Sequence, residues 1–369
     1  MEICNYVQGR ISTTPLQFRF ISRRSGFQKT LKSTTLYPPH LICNSSGLKS
    51  EEKEAKLEST TNSSTMFILG MGFVGQFVGE QLKKESCCRK VFGTCKHSSK
   101  KKELERLGFD VEIFDTSDTE LRSLNSLEQA THLLVSVPPT VGLGDPVLYH
   151  HGNSLRSRLS DGKLQWICYL SSTSVYGDTG GAWVDEDYPA NPTSESAKAR
   201  LAAEEGWLSL GHDLGVSAQV FRLGGIYGPG RSALDTIIKL GSLTEGQRLR
   251  EAKEYTSRVH VADIYEALKA SIETPSSGRI YNIVDDDPAP RAEVFSFART
   301  LIGKRWPEKI ELCSSSNNIS DANIQKKKAT TRGEKRVSNG RLKNELGVKL
   351  LHPSYRSGLE QIINFMDYP

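Results

Sequence analysis

From residue 66 onward, short apolar runs alternate with stretches whose apolar positions recur every three to four residues. Runs closed by glycine, proline or serine read as buried strands, and the longer recurrence reads as one face of a helix. Met66 to Leu69 is the first run, and Val74, Phe77, Val78 and Leu82 give the first helix face. Lys90 to Cys95 predicts a second strand, followed by a helix reaching Leu107. Asp110 to Asp115 predicts a third strand, and Leu121 to Ala130 a helix. His132 to Val137 is a buried-type strand closed by Pro138-Pro139, which a central strand does not accommodate. A helical region around Leu148 to Leu159 leads into the strand Leu164 to Leu170. Val220 to Leu223 is a further strand, and Gly278 to Val284 returns one more to the sheet. Ile264, Ala267, Leu268 and Ile272 mark a helix with Asp263 placed to cap it, and Glu293 to Ile302 another helix. Strands alternating with helices predict an α/β class, a doubly wound parallel sheet with ligands beyond the strands' carboxyl ends. The late strand makes the C-terminal substrate lobe interleaved with the sheet.

The first strand runs directly into Gly70-x-Gly72-x-x-Gly75 and then into the first helix. Strand, glycine turn and helix in this order make a Rossmann dinucleotide site. Gly70 allows the tight turn, Gly72 lets backbone approach a pyrophosphate, and Gly75 lets helix and strand pack closely. The helix N-terminus offers free N–H groups and a positive dipole end to phosphates. Roughly 20 residues past the glycines, NAD-binding folds place an acid on the ribose 2′-hydroxyl. Here the stretch is Thr94-Cys95-Lys96-His97-Ser98-Ser99-Lys100, with no acid and several cations. Lys96, with Ser98, Ser99 or Lys100, favours a 2′-phosphate and so NADP, with NAD as the alternative. The expected cofactor-binding set is Gly70, Met71, Gly72, Phe73, Val74, Gly75, Lys96, Asp115, Val137, Pro138 and Lys198.

Composition changes the picture at the N-terminus. Residues 1–50 carry seven Lys and Arg against one acid, Glu2, so they hold +6 of the net +5 and the remainder carries −1. Arg-rich, Ser/Thr-rich and acid-poor is transit-peptide composition, here read as chloroplast with mitochondrion as the alternative. Residues 51–65 read as a linker, 66–225 as the cofactor-binding core, and 226–369 as the interleaved lobe. No apolar run approaches the roughly 20 residues of a membrane span. The near-neutral remainder speaks against nucleic acid. Of the seven cysteines, Cys4, Cys43, Cys87, Cys88, Cys95, Cys168 and Cys313, none pair at metal-ligand spacing. Adjacent Cys87-Cys88 near Lys83, Lys84 and Arg89 is a candidate redox pair. Ser314 to Lys335 is polar and reads as a loop able to cover a site.

The chain resembles the short-chain dehydrogenase/reductases of the extended, sugar-nucleotide-epimerase-like type, in an atypical subgroup. Five motifs in the family's order carry the likeness: Gly70-Met-Gly-Phe-Val-Gly75, Ser171-Ser-Thr-Ser-Val-Tyr-Gly177, Arg222-Leu-Gly-Gly-Ile-Tyr-Gly-Pro-Gly-Arg231, Val259-His-Val-Ala-Asp263 and Tyr281-Asn-Ile-Val-Asp-Asp-Asp-Pro288. The resemblance implies a Ser/Thr and a Tyr-x-x-x-Lys pair that move the proton accompanying hydride transfer. Ser172 matches the first and Lys198 the last, but the tyrosine position holds Ser194. A phenol with pKa about 10 can be lowered towards neutrality by an ammonium. An aliphatic hydroxyl is a poor general acid without a separate base. Three substitutes stand open: Tyr176, which the resemblance places facing the nicotinamide; Tyr188, on a loop; and Ser172 with Lys198, water supplying the proton. Arg231 is placed for an anionic group or is a surface cation. His260 reads as structural. The arginine that sugar-nucleotide epimerases keep for substrate phosphate falls on Thr256, with Arg258 out of register, which argues against diphosphosugars.

Three functions follow: an NADP-dependent oxidoreductase on a small carbonyl or alcohol, a catalytically silent NADP-dependent regulator or scaffold, and an RNA-binding plastid protein. The resemblance leaves room for a homodimer. The substrate is a small molecule whose identity the sequence leaves open.

Overall fold

The computed structural model of the chain describes residues 64–85, 90–117, 121–239, 254–308 and 334–367. The segment read as a transit peptide, the linker up to residue 63, the Cys87-Cys88 pair and residues 314–333 of the polar loop lie outside the described residues. Seven strands form one sheet: β1 (Thr65–Leu69), β2 (Lys90–Cys95), β3 (Asp110–Ile113), β4 (His132–Val135), β5 (Trp166–Ser172), β7 (Ser217–Leu223) and β10 (Arg279–Ile283). Their order is β10-β7-β5-β4-β1-β2-β3, and every neighbouring pair is parallel. The chain leaves β1 towards β2 and β3, then returns to β4 and proceeds the other way. A crevice therefore opens at the carboxyl ends of β1 and β4, where this topology places ligands.

Burial on both faces explains the apolar runs. Met66 and Ile68 of β1 join one core cluster, while Phe67 and Leu69 join the other. The first cluster is covered by α1 (Phe73–Lys84) and α6 (Val261–Glu273), the second by α3 (Pro146–Leu159) and α4 (Glu195–Leu214). The helix α2 (Ser98–Arg106) packs beside β3. The helix α5 (Ala233–Ile238), α7 (Arg291–Arg305) and α9 (Tyr355–Phe365) form a third cluster beyond the sheet. Two small parallel pairs, β8 (Gly225–Tyr227) with β9 (Arg258–His260) and β6 (Trp183–Val184) with β11 (Arg336–Val337), connect that lobe to the sheet ends. After β11, α8 (Gly340–Leu346) lies against β10. The β10 strand sits at the sheet edge between elements of the lobe, so the lobe is interleaved with the sheet. Among the described residues, no helix is long and apolar enough to cross a membrane.

Two local expectations differ. Leu121 to Ala130 forms two short 3-10 turns, Leu121–Ser123 and Leu127–Gln129, instead of one helix. The Arg158 guanidinium donates to the Leu121 and Leu124 carbonyls, taking acceptors that α-helical amides would use. Asp263 does not cap α6. His260 does, its Nδ1 accepting from Ala262 N at 3.3 Å. Asp263 instead accepts from Leu351 N at 2.6 Å and His352 N, tying the C-terminal segment to α6.

His260 is 2% exposed and stacks edge-on against His352 at 4.1 Å. Burial, then the neighbouring His352, depresses its pKa to about 3. The unfolded chain thus takes up a proton that the folded one refuses, so its stability contribution falls as pH drops from about 6.5 towards 3. Asp263, raised by burial to about 6, acts in the opposite direction. Comparing a His260→Asn variant with the parent therefore isolates the histidine. Between pH 7 and pH 5 the parent should lose about 2 kcal/mol more than the variant in urea unfolding. Parallel losses would show that His260 is not held neutral.

Candidate functional site

The glycine turn meets the requirements of a pyrophosphate cradle. Gly70 adopts φ 97°, a backbone region that side chains rarely occupy. A Cβ on Gly75 would lie 2.5 Å from the Gly70 carbonyl oxygen, so only hydrogen fits where α1 crosses the turn. Around Gly72 nothing lies within 4 Å of an added Cβ, so the space in front of the turn is open. Gly72 is the N-cap of α1, with no side-chain cap hydrogen bond and no acid in the first turn. The helix thus presents its amides to that space, the arrangement that favours a phosphate. Met71 and Val74 turn their side chains into the core, leaving their backbone to serve the turn. Thr94 fixes the turn from below: its Oγ1 accepts from Gly70 N at 3.0 Å and its carbonyl from Met71 N at 2.7 Å.

Around this cradle the other expected cofactor contacts divide. Val137 closes on the turn, with its Cγ2 3.2 Å from a Cβ built on Gly70, and exposed Pro138 follows it. Lys96 at the end of β2 pairs with Asp115 beyond β3 at 3.0 Å, which holds the carboxyl below its usual range. The two are brought together beside the first turn of α2, which contains Lys100 and Lys101 and no acid. Lys100 reaches Glu103 at 2.7 Å and Gln76 of α1 at 3.4 Å. Lys198, at the start of α4, is 56% exposed and paired with Glu195 at 2.8 Å.

A cavity of about 460 Å³ opens where β5 and β7 end, lined by Ser172, Thr173 and Ser174 on one side. Ser172 Oγ accepts from Ser174 N at 3.2 Å. Its own O–H remains able to donate into the cavity. Arg231 from the cavity wall lies over the Phe73 ring at 5.3 Å.

Tyr176 requires a correction. It is fully buried among Val175, Val184, Val284 and Val337, its hydroxyl donates to Asn282 Oδ1 at 2.8 Å, and Arg222 lies over its ring at 4.8 Å. Burial pushes its phenol further above the ordinary range. A proton donor to substrate needs access that this side chain lacks, so Tyr176 is a structural residue. It belongs to a buried polar spine. Ser171 donates to Glu204, Arg222 binds Glu204 at 2.8 Å, and the Asn282 backbone donates to Glu186 at 2.6 Å.

Ser194, in the tyrosine position, is the N-cap of α4, accepting from Ala197 N at 3.2 Å. Its hydroxyl thus has a local structural duty. Tyr188 is 39% exposed on its loop, and neither it nor Lys198 lines the cavity.

Sequence reasoning missed part of the cavity wall. Lys335, the last residue of the polar loop, lines it as Ser172 does and donates to the Gly177 carbonyl at 2.9 Å. Arg258 and Arg291 line it as well. The chain separation between residue 177 and residue 335 explains why no local pattern exposed this contact. Among the described residues, no group of three or more His, Cys, Asp and Glu is gathered as a metal site would require.

Comparison with known proteins agrees with this geometry. The NAD dependent epimerase/dehydratase family matches residues 154–284. Protein YeeZ of Escherichia coli (strain K12) is 28% identical over 233 residues, spanning 62% of this chain and 74% of YeeZ. A 3-diazoavenalumate denitrifying reductase of Streptomyces sp is 33% identical over 183 residues, 48% of this chain and 58% of the reductase. A solved structure of a functionally unknown conserved protein from Silicibacter pomeroyi DSS superposes with a TM-score of 0.61 at 30% identity, covering 81% of this chain and 98% of that one.

Proposed function

We propose, for a chain that belongs to the NAD-dependent epimerase/dehydratase family, that it is an NADP-dependent oxidoreductase acting on a small carbonyl or alcohol. The observation carrying this reading is Ser172, which lines a cavity whose Arg231 lies over Phe73, the first residue of α1 after the glycine turn. The similarity to a reductase supports the same class.

The chain's own residues would divide the work as follows. Gly70, Gly72 and the α1 N-terminus hold a pyrophosphate. When bound, the nicotinamide cofactor supplies or accepts hydride. Ser172 donates its O–H to the substrate oxygen, which can only accept, while its oxygen accepts from Ser174 N. Lys335 adds positive charge to the same wall as that oxygen becomes an alkoxide. Water completes the alcohol with a proton, because the buried Tyr176 hydroxyl and the capping Ser194 are engaged elsewhere. The test is to supply NADPH and a panel of small aldehydes and ketones to the full chain. Reduction of at least one, with NADPH consumed mole for mole, is expected. NADPH binding with no carbonyl ever reduced would favour the silent regulator, the reading that the capping role of Ser194 supports.

For the cofactor, the acid-free first turn of α2 and the 60% exposed Lys96 support the 2′-phosphate form. A phosphate would compete with Asp115 for the Lys96 ammonium. NADPH is expected to bind several-fold more tightly than NADH, and Lys96→Glu to shrink that ratio. Equal affinities of the parent for both cofactors in calorimetry would remove the argument.

A further inference from the structure

The cavity beyond Ser172 has a charge pattern that a neutral substrate would leave unused. Arg231, Arg258, Arg291 and Lys335 line it, and among the described residues no Asp or Glu does. Arg258 carries the most informative environment. Its guanidinium donates to the Thr256 carbonyl at 2.8 Å, the Ala289 carbonyl at 3.0 Å and Thr256 Oγ1. All three acceptors are neutral, and a guanidinium has two further N–H donors to offer. Among the described residues it has no salt bridge. The neighbouring carboxyl, Asp285, is 2% exposed with no hydrogen-bond partner for either oxygen among the described residues, and burial pushes its pKa upward while Arg258 pulls it down. The half-buried guanidinium therefore keeps N–H donors that an anion entering the cavity could take. Arg231 is exposed at the rim, between the cavity and the first residue of α1.

Four aromatic residues stand in the remaining wall, among small polar and aliphatic ones. Tyr227, Tyr255, Phe295 and Tyr355 line the same space, and its volume of about 460 Å³ falls within the range of small-molecule sites. Thr256, at the position where sugar-nucleotide enzymes keep a phosphate-binding arginine, is occupied in holding Arg258.

We propose that this cavity selects an organic acid, its carboxylate held by Arg258 and Arg231 and its flat apolar body against these aromatic residues. This deepens the oxidoreductase reading, resting on it for Ser172 as the reacting end. Arginine suits the task because its planar fork matches a carboxylate.

The test is calorimetric binding to the full chain, with and without saturating NADPH, using cinnamate, its neutral amide cinnamamide, inorganic phosphate and UDP-glucose as probes. Cinnamate should bind at least tenfold more tightly than cinnamamide and than either phosphate-bearing probe. Arg231→Gln should reduce that advantage several-fold while leaving the thermal midpoint unchanged, and Arg258→Gln should abolish it. Should Arg258→Gln fail to fold, Arg231→Gln decides alone. Three results would overturn the proposal: cinnamamide matching cinnamate, UDP-glucose or phosphate exceeding it, or cinnamate failing to bind saturably. Charge-selective cinnamate binding in a chain that does not bind NADPH would defeat the oxidoreductase reading and leave this one standing.

Discussion

Alanine at Ser172 is expected to slow reduction of a carbonyl substrate by about a hundred- to a thousand-fold, the usual effect of removing one preorganised donor to a developing oxyanion. The serine ends β5 at the mouth of the cavity, and its oxygen already accepts the Ser174 amide. Its hydrogen is therefore the group left for the substrate oxygen. NADPH affinity should stay near that of the parent, because the cradle is built from the Gly70 turn and α1. Ser194→Ala should cost stability through the lost cap, about 1 kcal/mol, and leave turnover per folded molecule nearly unchanged. An active Ser172→Ala enzyme paired with an inactive, folded Ser194→Ala enzyme would reverse the assignment.

The second large effect falls on stability. Replacing Glu204 with alanine should lower the unfolding free energy by about 3–5 kcal/mol, because it strands a buried cation. Glu204 and Arg222 have side chains 2% and 5% exposed and meet at 2.8 Å. Ser171, adjacent to Ser172, donates to the same carboxylate, and Arg222 spans onward to the Tyr176 ring. The spine thus clamps the carboxyl ends of β5, β7 and β10 and holds the turn that presents Ser172. Urea unfolding of the full chain measures the loss. A change below about 1 kcal/mol, the scale of an exposed pair, would mean that the spine is solvated and not structural.

Much of the frame was legible in the residues. The continuous apolar run of β1 and the glycine spacing around Gly72 disclosed the sheet and the cradle, because both depend on local pattern. The tertiary contacts were not legible. Nothing near Leu121 signals that Arg158, from α3, takes its carbonyl and breaks the helix. Nothing near Tyr176 signals that Asn282 receives its hydroxyl. The side chain looked available because its strand end faces the crevice, yet the turn folds it inward beneath Arg222. Lys335 reaches the cavity only because β11 pairs with β6. Ser194 read as a lost catalytic group, and the fold explains what stands there instead, a helix cap.

The central claim, that the glycine turn receives a dinucleotide, is tested most directly by titrating NADPH into the parent and a Gly72→Ala variant. Gly72 has an ordinary φ of −80°, and a methyl there meets no atom within 4 Å, so the variant should fold as stably as the parent. The same methyl would stand where the pyrophosphate must approach α1. The account predicts an unchanged thermal midpoint and an NADPH affinity reduced by about tenfold or more, the equivalent of roughly 1.4 kcal/mol. Equal NADPH affinity for parent and variant, or no NADPH binding by the parent, would contradict it.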